Sequence, residues 1–195
     1  MREYEQIFDW YVATRSPDCG VREVVEFAAC LAPQSTILDI GCGNGLPISK
    51  CLVERGHRVF GIDSSPKMVT AFRRNFPGAQ VECASVAQAS FPPATFDAAV
   101  AWGVFFHLAA DDQERALAVV AASLRPGGKF LFTSGQENGT RDGQMDGVDF
   151  HYVSLGSEGY ARLLRENGMR LLNEFYDDLQ NYYYVAEKAS APAGN

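Results

Sequence analysis

An α/β fold with a mostly parallel sheet covered on both faces is predicted by two features of this sequence. Short apolar β-like runs alternate with helical segments along most of the chain, and the first two runs end in chemically special residues, a glycine turn and an aspartate. Ligands in such sheets bind outside the carboxyl ends of the strands, which is where both features fall.

Taken in order, Tyr4 to Thr14 and Val21 to Leu31 read as helices, the second with Val21, Val24, Val25, Ala28 and Leu31 at helical spacing after the Ser16-Pro17-Asp18 break. Thr36 to Ile40 is an apolar strand ending in Gly41-Cys42-Gly43-Asn44-Gly45, and a helix from Leu46 with Pro47 near its first turn follows. Gly56 ends that helix, Arg58 to Ile62 is a second strand closing on Asp63, and Ser64-Ser65-Pro66 starts a helix through Met68, Val69 and Phe72. Gln80 to Cys83 is a third strand and Phe96 to Ala101 a strongly buried fourth, with the loop Phe91-Pro92-Pro93 before it. A helix from Asp111 to Leu124, a turn at Arg125-Pro126-Gly127-Gly128 and a strand from Lys129 to Ser134 come next. The polar stretch from Gly135 to Gly147, with glycine at 135, 139, 143 and 147, reads as a loop. Ser157 caps a helix running to Asn167-Gly168, and Met169 to Tyr176 pairs antiparallel with Tyr182 to Glu187.

Length and composition fit one globular domain: 195 residues, 47% apolar, 17 basic against 24 acidic residues and a formal net charge of −7. Residues 1–188 are expected to form that domain, with 1–31 as a helical cap, 135–154 as a lid loop and 189–195 as a disordered tail. The acidic balance, with only four lysines, argues against a dedicated nucleic-acid binder. Five cysteines without CxxC spacing and three scattered histidines predict reduced thiols and no metal site. No apolar leader opens the chain, and the longest apolar stretch, Ala98 to Ala110, is too short to span a bilayer, so the expected location is the cytoplasm, with no membrane partner.

The glycine turn lets the backbone approach a ligand closely, and Asp63 lies near the ~20-residue separation at which a carboxylate accepts hydrogen bonds from ribose hydroxyls. A tight turn without a ligand is the alternative for the glycines alone. The pattern G-x-G-x-G departs from the dinucleotide G-x-G-x-x-G, and Asp39 before it repels a diphosphate while suiting an ammonium group. A nucleoside with a zwitterionic tail is therefore the favoured ligand.

Three strings in this order, Leu38-Asp39-Ile40-Gly41-Cys42-Gly43-Asn44-Gly45, Val59-Phe60-Gly61-Ile62-Asp63-Ser64-Ser65-Pro66-Lys67-Met68 and Leu124-Arg125-Pro126-Gly127-Gly128-Lys129-Phe130, resemble the class I S-adenosylmethionine-dependent methyltransferases. The resemblance runs from about Leu38 to Ser134. It implies a Rossmann-like three-layer sandwich whose seven-stranded sheet has the order 3-2-1-4-5-7-6, with strand 7 antiparallel. It also implies that the first string wraps the methionine portion and ribose of S-adenosylmethionine, that Asp63 holds the ribose, and that an N-terminal helix bearing Trp10, Tyr11 and Arg15 closes over the cofactor carboxylate. Where the family often has an acidic residue for the adenine amino group this chain has Ser85, so Val86 and its backbone share that recognition.

The cofactor set expected on this basis is Tyr11, Arg15, Asp39, Gly41, Gly43, Asp63, Ser64, Met68, Ser85, Val86 and Trp102, with no metal. Trp102 follows the central strand, where an aromatic face attracts a sulfonium. Phe105 and Phe106 read as core. His107 and His151 are the candidate catalytic residues, as bases for an acceptor proton, with structural packing as the alternative for each. The reading is methyl transfer from S-adenosylmethionine to a small-molecule acceptor without nucleic acid. A non-catalytic binder of S-adenosylmethionine or S-adenosylhomocysteine, or a nicotinamide-dependent oxidoreductase, is the alternative.

Overall fold

The computed structural model describes residues 2–190. Strands β1 (Thr36–Ile40), β2 (Arg58–Asp63), β3 (Gln80–Cys83), β4 (Phe96–Ala101) and β5 (Leu124–Ser134) run parallel, and β8 (Met169–Tyr176) and β9 (Tyr182–Lys188) close the sheet antiparallel. The sheet order is β3-β2-β1-β4-β5-β9-β8. With the two inserted strands β6 (Asn138–Met145) and β7 (Val148–Leu155) set aside, this is the expected 3-2-1-4-5-7-6 order.

Strand periodicity divides the core in two. Ile37, Leu131 and Tyr183 face α3 (Val21–Ala29) and α4 (Ile48–Glu54) through Val24, Phe27 and Leu52. Leu38, Phe130, Phe132 and Tyr184 face α6 (Ala110–Ser123) and α7 (Gly156–Glu166) through Leu117, Val120, Tyr160 and Leu164. The helix α5 (Pro66–Asn75) is capped by Ser65, whose Oγ accepts the Met68 N–H at 3.1 Å. Each of β1 to β5 thus carries its carboxyl end, and the residues after it, to one rim of the sheet.

Five expectations change. The first helix is broken at Ile7 into α1 (Arg2–Gln6) and α2 (Phe8–Thr14). Residues seven apart lie about 10 Å apart along a continuous helix, and the break buries Ile7 and brings the rings of Tyr4 and Tyr11 edge to face at 5.0 Å. The helix after the glycine turn starts at Ile48, behind Pro47. Arg125 to Gly128 bulges out of β5, whose register jumps from Leu124 opposite Phe96 to Lys129 opposite Ala98.

The largest correction is at 135–154, where the expected lid loop is an antiparallel β6–β7 hairpin. Its turn is Asp146-Gly147, with φ of 47° and 74°, the left-handed pair that a two-residue hairpin turn requires. At the other end, Ala189, expected to open a disordered tail, donates its N–H to the Gly168 carbonyl at 2.9 Å. Residues 191–195 of that tail lie outside the described ones.

Candidate active site

The rim holds a pocket built first from backbone. Gly41 takes φ of 63°, and a Cβ there would lie 2.3 Å from Cγ2 of Val104, so the turn closes against the loop after β4 only with glycine. Asp63, at the end of β2, locks the turn from the next strand: Oδ2 accepts the Gly43 N–H at 2.9 Å and Oδ1 the Ser65 N–H at 2.8 Å. Burial pushes the Asp63 carboxyl up from its ordinary value, against the pull of those two bonds. Asp39, buried at the end of β1, accepts a hydrogen bond from Ser49 Oγ at 2.5 Å, and burial raises its carboxyl to about 7.

One cavity is lined by nine of the expected cofactor residues: Tyr11, Arg15, Asp39, Gly41, Gly43, Asp63, Ser64, Met68 and Trp102. Ser85 and Val86 line an adjoining cavity with Asp63 and Ser64. The Arg15 guanidinium lies 4.9 Å from the centroid of Trp102 and 5.1 Å from that of Tyr11, and donates to the Tyr11 hydroxyl. Trp102 is held in turn by its Nε1–H, which donates to the Tyr183 hydroxyl at 2.7 Å. Trp10 is exposed.

The two candidate bases part company. His107 follows β4 in the short helical turn Phe105–His107 and lines the cavity of Ser85 and Val86. It sits among Tyr4, Phe106, Phe150 and Tyr152, with its Nε2 3.0 Å from the Tyr4 hydroxyl. Burial lowers its pKa to about 4. His151 is not brought to this cluster. Alternation along β7 turns Phe150 and Tyr152 inward and His151 outward, where Nδ1 meets Asp142 Oδ1 at 2.6 Å on the exposed side of the hairpin. Phe105 is fully buried core, as expected, whereas Phe106 meets Tyr152 at 5.8 Å at the edge of an open groove.

Tyr4 and Glu5 escaped sequence reasoning. Tyr4 lines the cavity of Tyr11 and Arg15, and burial drives its hydroxyl strongly upward, which keeps it a proton donor. Glu5 accepts from Ser65 Oγ and, at 3.0 Å, from the Lys67 N–H, fastening α1 to the start of α5. The available signal was the seven-residue spacing of Tyr4 and Tyr11. Among the described residues no group of three or more His, Cys, Asp or Glu is placed to hold a metal ion, and no helix is long and apolar enough to cross a membrane.

A family described as a methyltransferase domain matches residues 37–128. An uncharacterised methyltransferase of Anoxybacillus flavithermus is 25% identical over 94% of this chain and 73% of its own length. A tRNA U34 carboxymethyltransferase of Hahella chejuensis is 29% identical over 71% of this chain but only 46% of its own length. In fold, the chain superimposes with a TM-score of 0.75 on 1,6-didemethyltoxoflavin-N1-methyltransferase of Burkholderia thailandensis, solved with 1,6-didemethyltoxoflavin and S-adenosylhomocysteine bound. That pair is 21% identical over 97% of this chain and 85% of the other. These matches support a methyltransferase domain over residues 37–128, within the S-adenosylmethionine-dependent class that the sequence motifs resemble.

Proposed function

We propose that this chain transfers the methyl group of S-adenosylmethionine to a nucleophilic atom of a small-molecule acceptor by in-line displacement. The observation that carries the proposal is the single cavity in which Asp39, Asp63 and Arg15 converge on a glycine turn too tight for a Cβ. Bound there, S-adenosylmethionine supplies a methyl already activated on sulfonium, whose sulfur keeps the electrons of the breaking bond as the acceptor lone pair forms the new one.

The chain's own residues bind, orient and exclude water. Asp63 holds the ribose hydroxyls, Asp39 faces the ammonium, Arg15 the carboxylate, and the face of Trp102 the sulfonium. Met68 and Ser64 complete the ribose side, and Ser85 and Val86 take the adenine. His107 stays neutral at physiological pH and bonded to Tyr4, so it acts on the acceptor side only as a support for the Tyr152 ring, 5.1 Å away, rather than by titrating near neutrality. Catalysis on this reading is chiefly alignment.

A small acceptor is favoured over tRNA by the net charge of −7 and by the neighbouring groove, whose charged lining is one arginine and one glutamate. The five free cysteines suit a reducing compartment, and the cytoplasm is the proposed location. The test has two arms. Calorimetry should show S-adenosylmethionine and S-adenosylhomocysteine binding in preference to NAD. A screen of small acceptors with isotopically labelled methyl donor should then show transfer; tight binding with no transfer to any of them would leave a cofactor-binding module instead.

A further inference from the structure

Beside the cofactor pocket lies a groove of about 840 Å³, within the usual range for small-molecule sites, ~300–1,000 Å³. One wall is the β6–β7 hairpin, the other the turn between β8 and β9, and the floor is the end of β5. Pocket and groove abut where the Gly103 N–H, on the pocket side, donates to Thr133 Oγ1, on the groove side, at 2.8 Å. We infer that this groove is the acceptor site and that it is shaped for a neutral planar ring system carrying hydrogen-bonding groups at its edge. The inference rests on the methyltransferase reading above and adds the substrate class to it.

Three observations carry it. The charged lining is only Glu137 and Arg141, one of each sign, so a phosphate- or carboxylate-rich acceptor would lose its hydration without a net countercharge. Aromatic faces are supplied by Phe106, Tyr152, Tyr176 and Tyr182. The ring of Tyr152 lies across Gly143, where a Cβ would come within 2.8 Å of Cε2, so that glycine gives the ring room to lie against the hairpin. Finally, the side chains of Asn138, Thr140 and Gln180 line the groove, and no hydrogen bond joins them to another described residue.

Gln180 differs from the other two in its backbone. Its backbone is left-handed, φ 66°, in a residue that is not glycine. Asp177 enforces that shape, its Oδ1 accepting the N–H groups of Leu179 at 2.9 Å and Asn181 at 2.8 Å. Strain of this kind persists where the surroundings over-determine it, and here it presents an unpaired amide to the groove.

The test uses the full chain, slightly below neutral pH so that umbelliferone keeps its proton, and two pairs that share a ring and differ by a phosphate: umbelliferone with umbelliferyl phosphate, and riboflavin with flavin mononucleotide. Each is titrated by calorimetry with and without saturating S-adenosylhomocysteine, whose own binding is measured in the same way. At least one neutral member should bind about tenfold or more tighter than its phosphate. Gln180→Gly, which suits the left-handed backbone, should weaken it about fivefold or more while leaving S-adenosylhomocysteine affinity unchanged, and Tyr152→Ala should weaken it by at least as much. Equal or tighter binding of the phosphates, no saturable binding of either neutral ring, or variants within about twofold of the parent would overturn the inference. Failure of S-adenosylhomocysteine to bind would instead count against the methyltransferase reading, because the titrations without it still report the groove's preference.

Discussion

The cofactor pocket and the groove beside it are made differently. The pocket is framed by main chain: strand ends, a glycine turn and two carboxylates, one of which spends its oxygens on backbone N–H groups. The groove is framed by side chains carried on an inserted hairpin and a strained turn. A frame of main chain constrains few residue types and suits a ligand that does not vary. A frame of side chains is free to change with the acceptor, which is why the fold alone says so little about the substrate.

The link between the two regions is where the largest effect is expected. Gln113, fully buried on α6, donates from Nε2 to the carbonyls of Leu108 and Val153, each at 2.9 Å, and accepts from the Tyr160 hydroxyl at 2.5 Å. Tyr160 also meets Ser134 Oγ at 2.6 Å. One amide thus ties the His107 segment to the hairpin and both to the end of β5. Gln113→Leu removes those partners at similar volume and should lower unfolding stability by about 2–4 kcal/mol, since each buried group left unpaired costs about 1–3 kcal/mol. Denaturant melts measure it, and a loss below about 1 kcal/mol would show the two regions to be independent.

Within the pocket alone, Asp63→Ala should weaken S-adenosylhomocysteine binding by about 2–3 kcal/mol, the worth of a charge-assisted hydrogen bond with its disturbed neighbours, or roughly 30- to 150-fold. A folded variant whose dissociation constant stays within about threefold of the parent would remove the ribose assignment. The riboflavin and umbelliferone affinities of the groove should not move.

A proton reports the next effect. Burial raises the Asp39 carboxyl from 3.8 to about 7, so between those pH values the folded chain without ligand holds a proton that the unfolded chain has released. Stability from this group therefore falls as pH rises through that window and is lowest above it. Asp39→Asn should flatten that dependence. An ammonium facing Asp39 favours its ionised form, so cofactor binding near the upper end of the window should release a proton. Calorimetry in buffers of different ionisation enthalpy should detect the release, and a binding enthalpy independent of buffer would contradict it.

The same contrast explains what was legible in the sequence. Backbone constraint leaves marks in single residues: Gly41, Asp63 and Ser65-Pro66, with the nearly continuous apolar run of Phe96 to Ala101, placed β1, β2, α5 and β4, and with them the pocket. The hairpin left almost none. β6 reads Asn-Gly-Thr-Arg-Asp-Gly-Gln-Met and is exposed along most of its length, so it has no apolar face to give a period of two. Its one local mark was Asp146-Gly147 at the turn. Tyr4 was hidden for another reason: its partners His107 and Phe150 are distant in sequence and meet it only through the break at Ile7.

His151 gives the smallest expected effect and the sharpest check on that lesson. As a loop residue beside Tyr152 it was a reasonable base, but one residue of register in a strand moves a side chain to the opposite face. With Phe150 packed against Tyr4 and His107, position 151 must point away, and its side chain is 60% exposed beside an Asp142 that is 86% exposed. An exposed pair of this kind contributes about 0–1 kcal/mol and is weakened by salt. His151→Asn should therefore leave turnover within about twofold of the parent and cofactor affinity unchanged, whereas loss of a general base typically lowers rate by about 10²–10⁴-fold. His107→Asn, which breaks the bond to Tyr4 inside the aromatic cluster, should raise the acceptor KM more than it lowers kcat, with no new limb near neutrality in the pH profile. A drop of more than about tenfold in His151→Asn at full cofactor occupancy would mean that the outer face of the hairpin, not the inner one, meets the acceptor.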